Sequence, residues 1–110
     1  MKLKEIVNQL ELEIVVEGNL DAQVTGGYAC DLLSNVMANA NKGDLWLTIQ
    51  GHQNIVAVSL LVEAAGIIVV EDFEIDEETI EKALEKEVTI LRSTMSTYEL
   101  AGQLYKLGVE

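Results

Sequence analysis

The stretch Leu45-Trp46-Leu47-Thr48-Ile49, followed by Gln50 to Asn54, Ile55 to Ala65, Gly66 and Ile67-Ile68-Val69-Val70, decides the fold. Its first and last runs are apolar almost throughout, as strands are when both faces of a sheet are covered. The segment between them, Ile55 to Ala65, has helical length, with Asn54 expected as its N-cap and Gly66 as its C-cap. Strand, helix and strand in that order read as one parallel crossover unit.

The same alternation continues in both directions. Upstream, Leu32, Leu33, Val36, Met37 and Ala40 form one helical stripe, which Asn41-Lys42-Gly43 ends with Gly43 as the expected left-handed cap. Before it stands Val24-Thr25-Gly26-Gly27-Tyr28-Ala29-Cys30-Asp31, read as a short extended piece whose glycine pair turns into that helix. Leu12 to Val16 reads as a strand before the Gly18-Asn19 turn, and Leu3, Ile6, Val7 and Leu10 as a short first helix. Downstream, Asp76-Glu77-Glu78 opens a helix with an acidic first turn, and Ile80, Ala83 and Leu84 form its expected inner face. Val88 to Leu91 is the last strand. Ser96-Thr97-Tyr98-Glu99 has the form of a capping box for a final helix with Leu100, Leu104 and Leu107 inward. The expected architecture is α/β: a mostly parallel sheet of four to five strands with helices on both sides, in one domain over residues 1–110.

Composition narrows the function. The formal net charge is −12 in 110 residues, which argues against nucleic acid and anionic membrane surfaces, since both need a basic patch. Cys30 is the only cysteine, so no internal disulfide forms and a reducing, cytoplasmic setting is expected. Met1-Lys2-Leu3-Lys4-Glu5 carries no apolar signal region, and the apolar run from Ile55 to Val70 is too short and interrupted to span a bilayer.

Ligands of open parallel sheets bind beyond the carboxyl ends of the strands. On this reading those ends carry Thr25-Gly26-Gly27, Gln50 to Asn54, Glu71-Asp72-Phe73 and Arg92 to Ser96. The only arginine, Arg92, and the only histidine, His52, lie there. The expected lining of a small-anion site is therefore Thr25, Gly26, Gly27, Asp31, His52, Asn54, Arg92, Ser93 and Thr94. A guanidinium beside Ser93 and Thr94 suits a phosphate or carboxylate, because it donates two parallel hydrogen bonds. Against that stand plainer roles: a salt bridge for Arg92, a solvated turn for His52, a helix cap for Asp31 and core packing for Cys30.

Several chemistries are excluded by pattern. No Gly-Lys dipeptide occurs, so there is no phosphate loop of the Walker type, and no Gly-x-Gly-x-x-Gly fingerprint is present. Position 36, six beyond Cys30, holds valine rather than the arginine of a thiol phosphatase. The acidic run from Glu71 to Glu78 lacks the alternation of a calcium loop, so no metal or cofactor is expected. The segment Ile55 to Val62 has almost no polar face. A helix of that kind is buried on more than one side, and a homodimer contact through Ile55 to Ala65 is expected.

The runs Val24 to Ala38, Gly43 to Val58, Ala64 to Val70 and Leu91 to Gly108 together resemble the DRTGG domain family, although Gln23-Val24 replaces the first two letters of the family's name. The resemblance implies a three-layer α/β/α unit like the N-terminal domains of HPr kinase/phosphorylase and MurF. It also implies a regulatory or association module, found alone or beside CBS or phosphotransacetylase domains. Stand-alone copies of the family are at times labelled serine kinases of HPr, a reaction that needs the absent phosphate loop. A hydrogenase-associated protein partner is a further implication. The leading expectation is a non-catalytic, dimeric regulatory module that binds a small anion. The alternatives are a small phosphotransferase or hydrolase using Cys30 and His52, and a ligand-free assembly subunit.

Overall fold

The computed structural model describes residues 1–110. The elements run α1 Leu3–Leu10, β1 Glu13–Val16, β2 Gly26–Ala29, α2 Leu33–Asn39, β3 Asp44–Thr48, α3 Asn54–Val62, β4 Gly66–Val69, α4 Glu77–Lys86, β5 Ile90–Arg92 and α5 Thr97–Lys106. The sheet order is β1-β5-β4-β3-β2. Four strands are parallel, and β1 joins β5 antiparallel with an irregular register between Ile14 and Val16.

All five residues of β3 and all four of β4 are buried. Side chains alternate across the sheet, so the two strands feed two cores. Leu45, Leu47, Ile68 and Leu91 pack under α1 and α5 with Leu3, Ile6, Leu100 and Leu104. Trp46, Ile67, Val69 and Ile90 pack on the other face with Val36, Ile55, Val56 and Ala83 of α2, α3 and α4. This is the three-layer α/β/α arrangement.

The apolar character of α3 has a geometric cause. It lies between α2 and α4 in its layer and contacts both, so Ile55, Val56, Val58 and Ser59 are buried. Only one strip, including Leu60 and Leu61, remains exposed. In α4 the inner face is Thr79 and Ala83, with Ile80 partly buried against the same core, while Leu84 is 60% exposed rather than inward.

The glycine-pair turn is corrected. Gly26 and Gly27 form the first half of strand β2, paired with Asp44 and Leu45, and α2 begins only at Leu33. Three helix ends also differ from expectation. Asn54 is the first helical residue of α3, with Gln53 as cap and no capping side chain. The left-handed residue closing α3 is Glu63, and Gly66 already belongs to β4. Ala40 ends α2 in an extended conformation, and Gly43 (φ +86°) serves the turn into β3. Ser96 caps α5 as read, accepting from the Glu99 amide at 3.1 Å. The last strand is shifted toward the C-terminus, so Arg92 is its final residue instead of a loop residue.

Gly51 shows how tightly the strand ends are joined. A β-carbon there would lie 2.0 Å from the Glu74 carbonyl oxygen. The Gly51 carbonyl accepts from the Thr79 hydroxyl at 2.7 Å and from the Asp76 amide at 3.0 Å. Gly51→Ala forces backbone apart and is expected to destabilise by about 2–3 kcal/mol, measured by urea unfolding.

The first helix is tied down by its own loop. The Leu3 amide donates to the Ala22 carbonyl and the Lys4 amide to that of Leu20, both at 2.9 Å. At the surface, the hydrogen bond from Lys4 and the charges of Lys4 and Lys2 hold the Asp21 carboxyl below its ordinary pKa. A lowered carboxyl pKa adds stability above the unfolded value, and that stability is lost as pH falls through the folded one. Asp21→Asn is therefore expected to lower the melting temperature slightly at neutral pH and to have no effect in strong acid, as thermal melts across pH will show.

Candidate functional site

The parallel sheet sets its two ends apart, and the expected site residues divide between them. Gly26 and Gly27 start β2, so they and Thr25 stand at the amino edge, beside the Lys42-Gly43 turn. Asp31, His52, Asn54, Arg92, Ser93 and Thr94 stand at the carboxyl edge. The nine residues therefore do not form one lining.

The amino-edge residues make a packed joint. The Thr25 amide donates to the Gly43 carbonyl at 3.0 Å, and its hydroxyl donates to the Lys42 carbonyl at 3.2 Å. A β-carbon on Gly26 would approach the Asp44 carboxylate oxygen to 2.7 Å. Asp44 is buried and accepts from the Asn41 amide at 2.8 Å. Gly26 is thus required by a buried carboxylate of its neighbouring strand. A surface cavity of about 450 Å³ lies alongside, bordered by Thr25, Lys42, Gly43 and Glu63.

At the carboxyl edge, Asp31 links the ends of β2 and β3. Its carboxylate accepts from the Thr48 hydroxyl at 2.9 Å and from the Ile49 amide at 2.8 Å. It does not cap α2; Leu32 holds that position without a side-chain bond. The Gln50 amide donates to the Thr48 hydroxyl, and the Gln50 side chain donates to the Asp31 carbonyl.

Arg92 takes the plainer of its two expected roles. Its Nε donates to the Phe73 carbonyl at 2.9 Å, and Nη2 donates to the Asp72 carbonyl at 2.8 Å and pairs with the Asp72 carboxylate at 3.1 Å. The held loop is unusual, because Glu71 and Asp72 both adopt positive φ, 59° and 58°. Two consecutive non-glycine residues in that region cost on the order of 1–2 kcal/mol each, and the three guanidinium contacts offset that cost. Glu71 accepts from the Thr97 hydroxyl at 3.0 Å, which ties the loop to the start of α5. Neither role was visible in the acidic run; the one signal in the sequence was that Arg92 is the chain's single arginine.

The remaining carboxyl-edge residues are less engaged. Ser93 is buried, and its hydroxyl accepts from the Met95 amide. His52 Nδ1 accepts from the Asn54 amide at 3.3 Å. The side chains of Asn54 and Thr94 are exposed. Cys30, just beyond the end of β2, is engaged by Asn35, whose Nδ2 donates to its Sγ at 3.3 Å and to the Tyr28 hydroxyl at 2.7 Å. No hydrogen bond joins Cys30 to His52, the arrangement a nucleophile and its base require. The cavity that Arg92 borders, about 250 Å³, opens toward Glu13, Glu74 and Ile80 and not toward His52. No helix is long and apolar enough to cross a membrane.

Comparison with known proteins agrees with this fold. The chain superimposes on the crystal structure of the CBS and DRTGG domains of the regulatory region of Clostridium perfringens pyrophosphatase, complexed with its activator diadenosine tetraphosphate. The TM-score is 0.69 at 14% identity, over 92% of this chain and 44% of that one. The chain thus spans less than half the length of that structure, and the likeness concerns the fold. No curated protein matches. The DRTGG domain matches residues 5–107, and the chain belongs to the DRTGG domain family.

Proposed function

We propose that this chain is a non-catalytic regulatory and association module of the cytoplasm. The observation that carries the reading is the family match over residues 5–107, together with the fold shared with a pyrophosphatase regulatory region. The local chemistry supports it. Cys30 and His52 each have other partners, and the arginine at the strand ends is committed to loop 71–73. A phosphotransferase or hydrolase would need reacting groups in mutual reach.

The module binds a small anion at the carboxyl edge through Arg92, with His52, Asn54 and Thr94 among the exposed polar residues of that same edge. Thr25, Gly26 and Gly27 drop out of that lining, since they stand at the other end of β2. Binding there competes with the Asp72 carboxylate for Arg92, so the ligand loosens loop 71–73 and its tie to α5. Differential affinity for the two loop states then supplies the regulatory output. The neighbour's activator makes adenine nucleotides the first probes. Adenine nucleotides and phosphorylated metabolites are expected to raise the melting temperature, and Arg92→Ala to abolish that rise. No response across the panel would leave a ligand-free assembly subunit.

The second element is a homodimer contact through Ile55 to Ala65. Within that segment the exposed strip of α3 is Ala57, Leu60 and Leu61, the two leucines 47% and 66% exposed. A hydrogenase-associated protein is the further partner that the family resemblance suggests. Leu61→Glu is expected to weaken self-association through α3 at least about tenfold, by placing a carboxylate in an apolar contact. Sedimentation velocity measures it, and an unchanged mass distribution would remove α3 from the contact.

A further inference from the structure

Helix α5 carries a surface that the interior of the chain does not explain. Tyr98 is 91% exposed and Tyr105 is 63% exposed. Between them lies Gly102, in the middle of a ten-residue helix. A β-carbon at Gly102 would meet nothing within 4 Å. Mid-helix glycine is unfavourable relative to alanine, and packing within this chain gives no reason for it. Gly108, just past the end of α5, has a reason: its φ of +95° is one that residues with a side chain rarely adopt. A shallow cavity of about 410 Å³ covers the Gly102 site, bordered by the two tyrosines, Glu99, Ala101, Gln103 and Lys106.

We propose that this face of α5 is a self-association surface, occupied by α5 of a second copy of the chain running antiparallel to it. The proposal is independent of the α3 contact, which lies on the opposite side of the sheet.

The residue spacing favours a second copy. Residues 98, 101, 102 and 105 surround one hole of the helix surface, and 99, 102, 103 and 106 surround the next. Gly102 belongs to both, so its missing side chain lets a second backbone approach. A two-fold axis across an antiparallel pair sets each flank of the helix against the same flank reversed. On one flank that places Glu99 against Lys106 of the other copy, twice. On the other flank it places Tyr98 beside Tyr105 of the other copy, a pairing aromatic rings favour. The cavity border carries one glutamate and one lysine and is neutral, in a chain of net charge −12. Two copies therefore meet there without the like-charge repulsion that most of the surface would impose.

The test separates folding from association. Gly102→Gln improves helix propensity and fills the gap, so the melting temperature at low protein concentration should rise by a few degrees. The same variant should weaken self-association by about tenfold or more in sedimentation equilibrium. Glu99→Lys and Lys106→Glu should each weaken it, and the double variant should restore it, because exchanging both charges rebuilds the pairs. A parent chain that stays monomeric up to millimolar concentration overturns the proposal. So does a dimer that Gly102→Gln leaves intact, or a double charge variant as weak as the single ones. If Leu61→Glu alone dissolves the assembly while the α5 variants leave it unchanged, the contact belongs to α3 and the α5 proposal fails.

Discussion

The burial of β3 on both faces is the constraint from which the rest of the molecule follows. Asp44-Leu45-Trp46-Leu47-Thr48 has no exposed residue, so helices must cover the sheet above and below. Leu45 and Leu47 require the α1/α5 layer, and Trp46 requires the α2/α3/α4 layer. The polar residues at the two ends of the strand are buried as well, and each recruits a partner. Asp44 at the start accepts from the Asn41 amide and leaves room only for glycine at position 26, and Thr48 at the finish donates to Asp31. The strand thus positions the signature glycine at one edge of the sheet and the polar loops at the other. Even the Trp46 indole is used this way, with Nε1 donating to the Cys30 carbonyl at 2.9 Å.

That constraint also explains what could be read from sequence. Apolar runs such as Leu45 to Leu47 and Ile67 to Val70 have one stable placement in a chain of this size, so the layered architecture was legible. Helix ends were not, because this chain seldom ends helices on glycine. Glu11, Glu63 and Glu87 close α1, α3 and α4 in the left-handed conformation with φ between 51° and 58°. Glycine is the usual residue there, so Gly43 and Gly66 drew the boundaries outward. Both glycines serve close contacts instead: Gly43 lies against Thr25, and Gly66 against Leu3 and Leu45.

The glycine pair departs from its reading as a turn for a related reason. A glycine pair in sequence does not distinguish a turn that cradles a ligand from a strand pressed against its neighbour. Only the register, Gly26 beside Asp44, decides between them. Once β2 begins at Gly26, Thr25-Gly26-Gly27 moves to the amino edge and loses Arg92 as a neighbour. The carboxyl-edge residues keep a common edge because each stands at the end of a strand or in the segment after it, a placement that strand order does not change. Arg92 was recognisable as unusual, but its partner was not. One cation among many carboxylates has no unique match in sequence, and the choice of Asp72 depends on a loop with two left-handed residues.

On the proposed reading, the loop from Glu71 to Phe73 is where architecture and regulation meet. Its strained conformation is held by contacts from outside the loop: Arg92 from β5, Thr97 from α5, and the carbonyls of Ser93 and Met95, which accept from the Asp72 and Glu71 amides. A segment that depends on external contacts changes state when one of them is diverted. An anion that drew Arg92 away would remove three of those contacts at once, because the guanidinium makes all three. The effect would reach α5 through the bond between Glu71 and Thr97, at the first turn of the helix that exposes Tyr98. The single arginine of the chain is thus a short, physically connected route from the polar edge of the sheet to its most aromatic exposed surface.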